Sequence, residues 1–536
     1  MANLVNCPNS GVFGDRNQTT RQPIPRRPDL RAAESPDRQK IPDIKSRPSP
    51  VWIDSMITRS PGVIDRMTRD PATPIRSPRR AAHSAHRRTE MPRTRYRVTA
   101  FEALMLAQDT PTHPMIAQIE VLFTGRLKYD LFNASLARTL ANHPLLQSLV
   151  DNSIRPKRWI VYPEQAPYFD WAELDAPLRY PNDSDFIDLT QEIGTRVWVR
   201  AARDRGRLVL QFHHACTDGT GVLEFTLDLL RTYHALESNR DDLIPARDRQ
   251  ALRQRDRFHG HTRWGRLRKL AGAALRGRHW TKMKPIPLGD TVAGAATPRP
   301  LETIRHQTLA PNELNQLLAA ARAEGATLND LLLRDFFLIL SKWGAHHAKT
   351  AEDCLCVCMP VNLRLPHEAP MPAANKVMLS FLYRSPADCA DAQALLQSLH
   401  TETQNIKQTR RGLKILEVLR LVMKIQGRIP AGLLGKSSFA TAVLTNLGRI
   451  NALARDMPSD HDGKIQCGGL TVDRIVTAPN GQMGTPAVIV ASTYASRLTI
   501  AICHDQSALT REQAEQLLQD YVARLRESAQ SQANRC

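Results

Sequence analysis

The chain has 536 residues, a formal net charge of +20 and nine cysteines. This length exceeds that of one small domain and suggests about two or three units, while the odd cysteine count argues against a secreted disulfide scaffold. No stretch reaches about 18 consecutive apolar residues, and the first residues lack the charged start and apolar core of a secretory signal. We therefore expect a reduced, cytoplasmic protein.

Residues 1–95 differ from the rest of the chain in composition. They contain 19 basic and 9 acidic residues, so half of the net charge lies in less than a fifth of the chain. Pro- and Arg-rich segments such as 21–28 lack hydrophobic periodicity, which predicts a disordered arm. Such an arm could bind nucleic acid or anionic lipid, but it has no interleaved aromatic residues to stack on bases. We favour a solvated tail, or sequence upstream of a start at Met91, and do not expect nucleic-acid binding.

Helices and strands are predicted to alternate from about Tyr96 onwards, because apolar residues recur with helical or strand periodicity. In the first half, the predicted elements are helices over 99–107, 131–142 and 221–236, and strands over 115–123 and 207–212. In the second half, they are helices over 311–324, 328–343, 413–426 and 511–527, and strands over 354–360, 377–383, 441–445, 487–493 and 497–504. The pattern predicts a mixed α/β protein with an N-terminal lobe over 96–240, a basic crossover linker over 241–300 and a C-terminal lobe over 301–536.

One short run carries residues suited to catalysis. His213, His214, Asp218 and Gly219 stand in the pattern HHxxxDG, directly after a predicted strand and before a predicted helix. Histidine titrates near neutrality and can take a proton from a hydroxyl or an amine. We interpret Gly219 as the residue that allows a sharp turn into the helix, and Asp218 as a structural partner of an arginine. The alternative is that these are two ordinary histidines at the end of a strand.

The run resembles the active-site motif of the chloramphenicol-acetyltransferase-like superfamily, which includes condensation domains, alcohol acetyltransferases, polyketide-associated acyltransferases and wax ester synthases. Five other segments are similar to family segments and occur in the same order: 101–115, 142–146, 326–330, 359–364 with Asn375, and 445–448. The resemblance covers about residues 96–530. It departs from the family where Ala374 replaces a glycine before Asn375, and where Thr445 replaces the commoner serine.

The resemblance implies an α/β fold of two similar lobes with an active-site tunnel between them. It implies that His214 is the general base, supported by His213, and that Asp218 pairs with Arg364 while Asn446 stabilises the oxyanion. The expected reaction moves an acyl group from acyl-CoA, or an acyl-carrier-protein thioester, to a small-molecule or lipid alcohol. No cofactor is expected to be bound permanently, and no metal is required.

Two other functions stay open at the level of sequence. The first is a condensation-type enzyme that takes its donor from a carrier protein and acylates an amine. The second is a catalytically silent binding protein that uses its basic arm. Turnover that depends on a carrier protein would favour the first, and salt-sensitive binding without turnover would favour the second.

Three further features have competing interpretations. The segment 262–284 places Trp264 and Leu267 on one helical face opposite Arg and Lys. This pattern fits peripheral membrane contact as well as a mobile basic linker or a helix that docks on its own lobe. The amphipathic helix predicted at 413–426 is expected to pack on the core or line an acyl tunnel rather than contact a membrane. Alternate cysteines at 354, 356 and 358 invite a metal site, but we favour small buried core residues.

Overall fold

The computed structural model describes residues 93–258, 284–289, 304–345, 350, 353–410, 412–426, 429, 440–479 and 485–533. The predicted disordered arm lies outside these ranges except for its last three residues. The amphipathic segment 262–284 also lies outside them except for residue 284.

The described residues form strands and helices throughout. In chain order, the strands are β1 (Arg95–Arg97), β2 (Ile116–Thr124), β3 (Ser148–Asp151), β4 (Arg158–Val161), β5 (Tyr168–Ala172), β6 (Thr195–Ala201), β7 (Arg205–His213), β8 (Lys284–Pro285), β9 (Arg305–Leu309), β10 (Asp353–Asn362), β11 (Val377–Arg384), β12 (Ala442–Arg449), β13 (Gln466–Cys467), β14 (Leu470–Pro479), β15 (Ala487–Tyr494) and β16 (Arg497–His504). The α-helices are α1 (Ala100–Gln108), α2 (Tyr129–Asn142), α3 (Gly219–Glu237), α4 (Pro311–Ala323), α5 (Leu328–Gly344), α6 (Ala392–Thr409), α7 (Leu413–Gln426) and α8 (Arg511–Ala533).

The first large sheet has six strands in the spatial order β13, β14, β2, β7, β6 and β5. Neighbouring strands are antiparallel except for β5 and β6. Strand β7, which ends at His213, therefore lies near the middle of the sheet between β2 and β6. Its side chains from Leu208 to His213 are buried, so packing on both faces of the sheet fixes the position at which the strand ends.

The second large sheet contains seven strands. Six of them follow the order β11, β10, β12, β15, β16 and β9, and β8 pairs with β10 at its side. Strands β10, β12 and β15 are parallel, whereas β11 and β16 run antiparallel to their neighbours. A separate small sheet joins β1, β4 and β3. The structure is thus a mixed α/β fold with two large mixed sheets, as predicted.

Sequence order and sheet membership differ at one place. Strands β13 and β14 come from the range 301–536, which the sequence assigns to the C-terminal lobe, but they pair within the first sheet. Thr471 to Pro479 of β14 lie opposite Thr124 to Ala117 of β2 in an antiparallel ladder. The predicted C-terminal lobe is therefore corrected, because the chain returns to the first sheet before it completes the second.

Side-chain caps explain where several helices begin. Thr99 and Glu102 form a capping box at the start of α1, and Thr327 and Asp330 form another at α5. Such reciprocal bonds satisfy backbone N–H groups that have no partner within the helix. Glu102 is fully buried and also accepts hydrogen bonds from Arg255 and Trp159, so the cap of α1 is tied to two distant segments.

Candidate active site

The HHxxxDG residues lie between a buried strand and a long helix. His213 ends β7, and Asp218 is the N-cap of α3, where its Oδ1 accepts a hydrogen bond of 2.9 Å from the Gly221 N–H. An aspartate at this position satisfies an otherwise unpaired donor and interacts favourably with the positive end of the helix. The loop is therefore held at both ends.

The second carboxylate oxygen of Asp218 binds residues of the connection between β10 and β11 of the other large sheet. Arg364 Nη1 lies 2.9 Å from Asp218 Oδ2, so the structure places together the two residues that the family resemblance pairs. The same oxygen accepts a bond of 2.7 Å from the Lys376 N–H. Arg364 also donates through Nη2 to the Ala374 carbonyl at 2.7 Å. Asp218 thus caps a helix of one lobe and anchors a loop of the other.

Asn375 holds the backbone of the histidine loop from the opposite side. Its Nδ2 donates to the carbonyl oxygens of His214 and Ala215, at 2.9 and 2.8 Å. Ala374, which replaces the glycine that the family resemblance leads one to expect, is fully buried beside it. The resemblance identified Asn375 as part of a motif without assigning it this role.

His213 is buried and bonded at both ring nitrogens. Its Nε2 lies 3.0 Å from Asp109 Oδ2, and its Nδ1 accepts from the Ala215 N–H at 3.1 Å. Because the Ala215 N–H is a donor, Nδ1 must be unprotonated and the ring proton lies on Nε2. Asp109 Oδ1 also accepts from the Met115 N–H, and the Met115 carbonyl accepts from the His214 N–H. His213 is therefore a fixed support for its neighbour.

His214 differs from His213 because its ring borders a cavity. Its Nδ1 is fully buried and has no hydrogen-bond partner among the described residues. Because Nδ1 is out of reach, a ligand in the cavity could bond to this ring only through Nε2. Burial lowers the pKa of His214 below its usual value, although the carbonyls of His214 and Thr217 and the charge of Asp218 partly oppose this effect. The imidazole is therefore neutral at pH 7, as a general base must be.

Gly219 serves a different purpose from the one that the sequence suggests. Its φ is not in the positive region, so the sharp-turn interpretation is wrong. A Cβ at this position would lie 2.9 Å from Leu447 Cδ2, and a Cβ at Gly221 would lie 2.1 Å from Thr217 Oγ1. Both glycines allow close approach at the start of α3. Gly219 and Thr220 also border the cavity, which brings the first N–H groups of the helix near it.

Asn446 reaches the same cavity from β12 of the second sheet. Its Oδ1 accepts from the Gly448 N–H at 2.9 Å, and its Nδ2 lies 3.4 Å from Asn329 Oδ1. Gly448 has a φ of +71°, which favours glycine, and the β12–β15 register shifts beyond Asn446. Within the described part of the chain, the only hydrogen bond of Asn446 Nδ2 is the one to Asn329, which occupies one of its two N–H groups.

The cavity has a volume of about 450 Å³ and is bordered by elements of both large sheets. His214, Asp218 and Asn446 border it together with mostly apolar side chains from α1, α7, β10, β11, β12 and β15. The five residues expected at the site, His214, Asp218, Gly219, Asn446 and the nearby Arg364, are thereby brought together, and His213 lies directly behind them. Pockets of this size and composition commonly bind small ligands.

Helix α7 covers part of the cavity. Leu413, Leu416 and Leu419 are buried, so the expected packing on the core is confirmed, and Leu419 borders the cavity. The outer face exposes Val418, Leu421 and Ile425.

The cysteines at 354, 356 and 358 are buried in β10, as expected, and Cys358 borders the cavity. In the described part of the chain, no group of three His, Cys, Asp or Glu side chains is placed to hold a metal ion. Nor does any described helix have the length and apolar character needed to cross a membrane.

Glu224 is a buried acid behind the site that sequence reasoning did not identify. It lies one helical turn and a half into α3, with its Oε2 4.0 Å from Arg364 Nε. Burial raises the pKa of Glu224 to about 7, although Arg364 and Arg247 oppose the shift. Asp109 was missed as well. Glu224 lies on the helix that the HHxxxDG run begins, but outside the run itself. Asp109 lies within the family-like segment 101–115, but that resemblance assigned it no role, and its contact with His213 joins residues 104 positions apart.

Comparison with known proteins gives relatives of low identity. No protein-family model matches the chain. Two Mycobacterium tuberculosis proteins, MT2362 of strain CDC 1551 / Oshkosh and Rv2305 of strain ATCC 25618 / H37Rv, are 28% identical to it over 277 residues, and both are described as uncharacterized. The match spans 50% of this chain and 62% of each relative, which is less than two thirds of their length.

Solved structures with a similar fold cover more of the chain than the sequence relatives do. The first condensation domain of the CDA synthetase is 17% identical, with a TM-score of 0.59 over 81% of this chain and 96% of that domain. The TRI3 trichothecene 15-O-acetyltransferase from Fusarium sporotrichioides is 12% identical, with a TM-score of 0.57 over 81% and 95%. A starter condensation domain of rhizomide synthetase, in complex with C8-CoA, is 16% identical, with a TM-score of 0.56 over 82% and 95%. The chain therefore has the two-lobed chloramphenicol-acetyltransferase-like fold of these proteins.

Proposed function

We propose that the chain is an acyltransferase that moves an acyl group from acyl-CoA to the hydroxyl group of a small-molecule or lipid alcohol. The observation that supports this most directly is the difference between the two adjacent histidines. His213 is saturated with hydrogen bonds, whereas His214 is neutral and faces a largely apolar cavity. The fold is shared with an O-acetyltransferase and with a condensation domain that was solved with C8-CoA.

The reaction begins with removal of a proton from the acceptor. His214 Nε2 takes the hydroxyl proton as the oxygen attacks the thioester carbonyl carbon, which forms a tetrahedral intermediate. Collapse of the intermediate breaks the carbon–sulfur bond, and the thiolate leaves and takes the proton from the imidazolium. The ester and the free thiol are the products, and the histidine returns to its neutral form. No step needs a metal ion.

Charge that develops on the carbonyl oxygen needs a donor in place before the reaction. Asn446 Nδ2 has one N–H that is not used by Asn329, and the first N–H groups of α3 at Gly219 and Thr220 border the same cavity. A preorganised donor at such a position contributes about 3 kcal/mol to stabilisation of the transition state. Asp218 and Arg364 act through the loop that they hold, and not as a second base.

The experiment measures free-thiol release from a panel of acyl-CoA thioesters by the full-length protein, with and without a mixture of alcohols. Release that depends on the alcohol, and that falls by a factor of about 10² to 10⁴ in His214→Ala, supports the proposal. His461→Ala is a matched control, because the side chain of His461 is 91% exposed on the surface. Equal rates in wild type and His214→Ala would refute the assignment of the base.

A folded protein that is silent with every acyl-CoA would point to another donor. The second candidate takes its acyl group from a carrier protein and transfers it to an amine, and the condensation domains that share this fold make it the next arm of the assay. Turnover with an acylated carrier protein alone would establish it. Silence in both arms, with salt-sensitive binding to nucleic acid or anionic lipid, would favour a binding protein.

A further inference from the structure

Strands β10 and β11 form one continuous wall of the cavity. Cys358, Pro360 and Asn362 of β10 border the cavity, and their partners across the ladder are Phe381, Leu379 and Val377 of β11. The intervening residues of β11, at 378, 380, 382 and 384, are buried on the opposite face. Because side chains alternate along a strand, this wall is a regular strip of largely apolar groups.

The strip has a defined end. Its last cavity-lining residue on β11 is Tyr383, which pairs with Cys356 of β10 and forms a side-chain hydrogen bond with it. Cys356 is fully buried and does not border the cavity. Ala440 packs against Cys356 and Cys358 and borders the cavity at this end. Among the residues that the structure describes, Tyr383 and Ala440 therefore bound the cavity at this end of the strip.

The other end of the strip lies beside the catalytic loop. Asn362 Oδ1 accepts from the Arg364 N–H at 2.9 Å, and Arg364 binds Asp218. From Val377 to Tyr383 the strand advances six residues, or roughly 20 Å at about 3.3 Å per residue. The strip therefore leads from the site of chemistry to a closed end over a distance that suits an extended hydrocarbon chain.

The same sheet continues the wall beyond β10. Val443 of β12 is the register partner of Cys358, and Thr445 of β12 also borders the cavity. Thr477 borders the cavity from β14 of the first sheet, and Thr485 lies just before β15. Hydroxyl groups can bind a polar acceptor, whereas the strip of β10 and β11 offers only Asn362 and the phenol of Tyr383 for hydrogen bonding. The strip is thus suited to an apolar chain, and the part of the lining that carries threonines is suited to an alcohol.

We infer that the β10–β11 strip binds the unbranched acyl chain of the donor, and that Ala440, Phe381 and Tyr383 at its end set the longest chain that fits. This inference rests on the proposed acyl transfer and names its donor class, which is a medium- or long-chain fatty acyl thioester. Each methylene group buried on the strip contributes about 0.8 kcal/mol, or about a fourfold gain in affinity. Affinity stops rising when the chain reaches Ala440.

The test measures affinity for a series of non-hydrolysable acyl-CoA thioethers, from acetyl to palmitoyl, by calorimetry on the full-length protein. In wild type, affinity is expected to rise about fourfold per methylene group and then to reach a plateau. Ala440→Leu fills the end of the strip and moves the plateau to shorter chains, while Phe381→Ala opens the end and moves it to longer chains. Ala442→Leu is the matched control, because Ala442 lies in the main core and does not border the cavity.

Three outcomes would overturn the inference: affinity that does not depend on chain length, a plateau that none of the variants moves, and a shift that Ala442→Leu reproduces. A shift in preference along a series of alcohol acceptors, with no shift along the donor series, would also overturn it. If binding follows the predicted plateau but no turnover occurs, the proposed reaction is refuted and the assignment of the strip as the acyl-chain site is kept. If turnover occurs but both variants have the chain-length profile of wild type, the assignment of the strip is refuted and the proposed reaction is kept.

Discussion

The loop at residues 213–219, which carries the proposed base, and the strip of β10 and β11 border the same cavity, but they are stabilised in different ways. In the loop, polar bonds from Asp109, Arg364 and Asn375 fix nearly every group except the ring of His214. In the strip, apolar side chains project from a regular ladder and make few directed bonds. Directed bonds fix the position of one reacting atom, whereas apolar contact selects a ligand by size. Substitutions in the loop should therefore reduce rate or stability, and substitutions in the strip should change preference.

Removal of Arg364 tests the loop most severely. Arg364→Ala leaves the Asp218 carboxylate buried without its cation, which is expected to cost about 3–5 kcal/mol in the free energy of unfolding. Chemical denaturation measures this loss. Arg240→Ala, which breaks an exposed pair with Asp242, is the control and should change stability little. A similar small effect for both variants would show that the loop does not depend on this pair.

Loss of the Asn446 amide should affect the rate more than the stability, which falls only by the roughly 1 kcal/mol expected for the lost hydrogen bond to Gly448. Asn446→Ala removes the free N–H that faces the cavity, and we expect thiol release to slow by a factor of about 10² to 10³. Steady-state kinetics with the best acyl-CoA measures this, and Asn405→Ala on the exposed face of α6 is the control. A rate within about twofold of wild type would remove Asn446 from the mechanism.

Stability should also depend on pH through Glu224. Its pKa is raised by burial to about 7, so the folded protein binds this proton more tightly than the unfolded chain, and stability falls as pH rises from about 4.5 to about 7. Glu224→Gln removes this loss and should stabilise the protein by at most about 3 kcal/mol above neutrality. Thermal denaturation of wild type and Glu224→Gln at about pH 5 and about pH 8 tests whether the variant gains stability only at the higher pH. An equal change in melting temperature at both pH values would contradict the raised pKa of Glu224.

A smaller loss of stability than that in Arg364→Ala is expected for the substitution Asp109→Asn, behind the loop. Asp109→Asn keeps an acceptor for the Met115 N–H but turns an amide donor toward His213 Nε2, which already carries the ring proton. Loss of this bond to a charged group is expected to cost about 1.5–3 kcal/mol in the free energy of unfolding. Chemical denaturation and the pH–rate profile together check the prediction. If neither the free energy of unfolding nor the pH–rate profile changes, Asp109 is not required to position His213.

The sequence predicted the strand, loop and helix around residues 213–219 well because the signal is local. A strand, two histidines, an N-cap aspartate and a helix follow one another within about thirty residues, and the bounds of α7 and β16 agreed to the residue. The pairing of Asp218 with Arg364 came from family resemblance, since the two residues are 146 positions apart.

Features that depend on distant pairing were not predicted. Strand β6 was not predicted because it is buried on both faces and its sequence does not alternate between apolar and polar residues. Strand β14 was not predicted either. It pairs with β2, which lies more than 340 residues earlier in the chain, and no periodicity in either strand indicates that pairing. The contact of Asp109 with His213 was missed for the same reason. Asp109 lies in the family-like segment 101–115, but nothing in that segment indicates a partner 104 residues away.

The return of β14 to the first sheet also determines how the protein would behave as two pieces. A single engineered protease site anywhere between residues 258 and 284 would cut the chain once, yet β14 would remain hydrogen-bonded to β2 from Thr471 to Pro479. The nicked protein should migrate as one particle on a sizing column and as two bands on a denaturing gel. The two halves, expressed separately, are therefore natural candidates for complementation, in which thiol release returns only when both fragments are mixed.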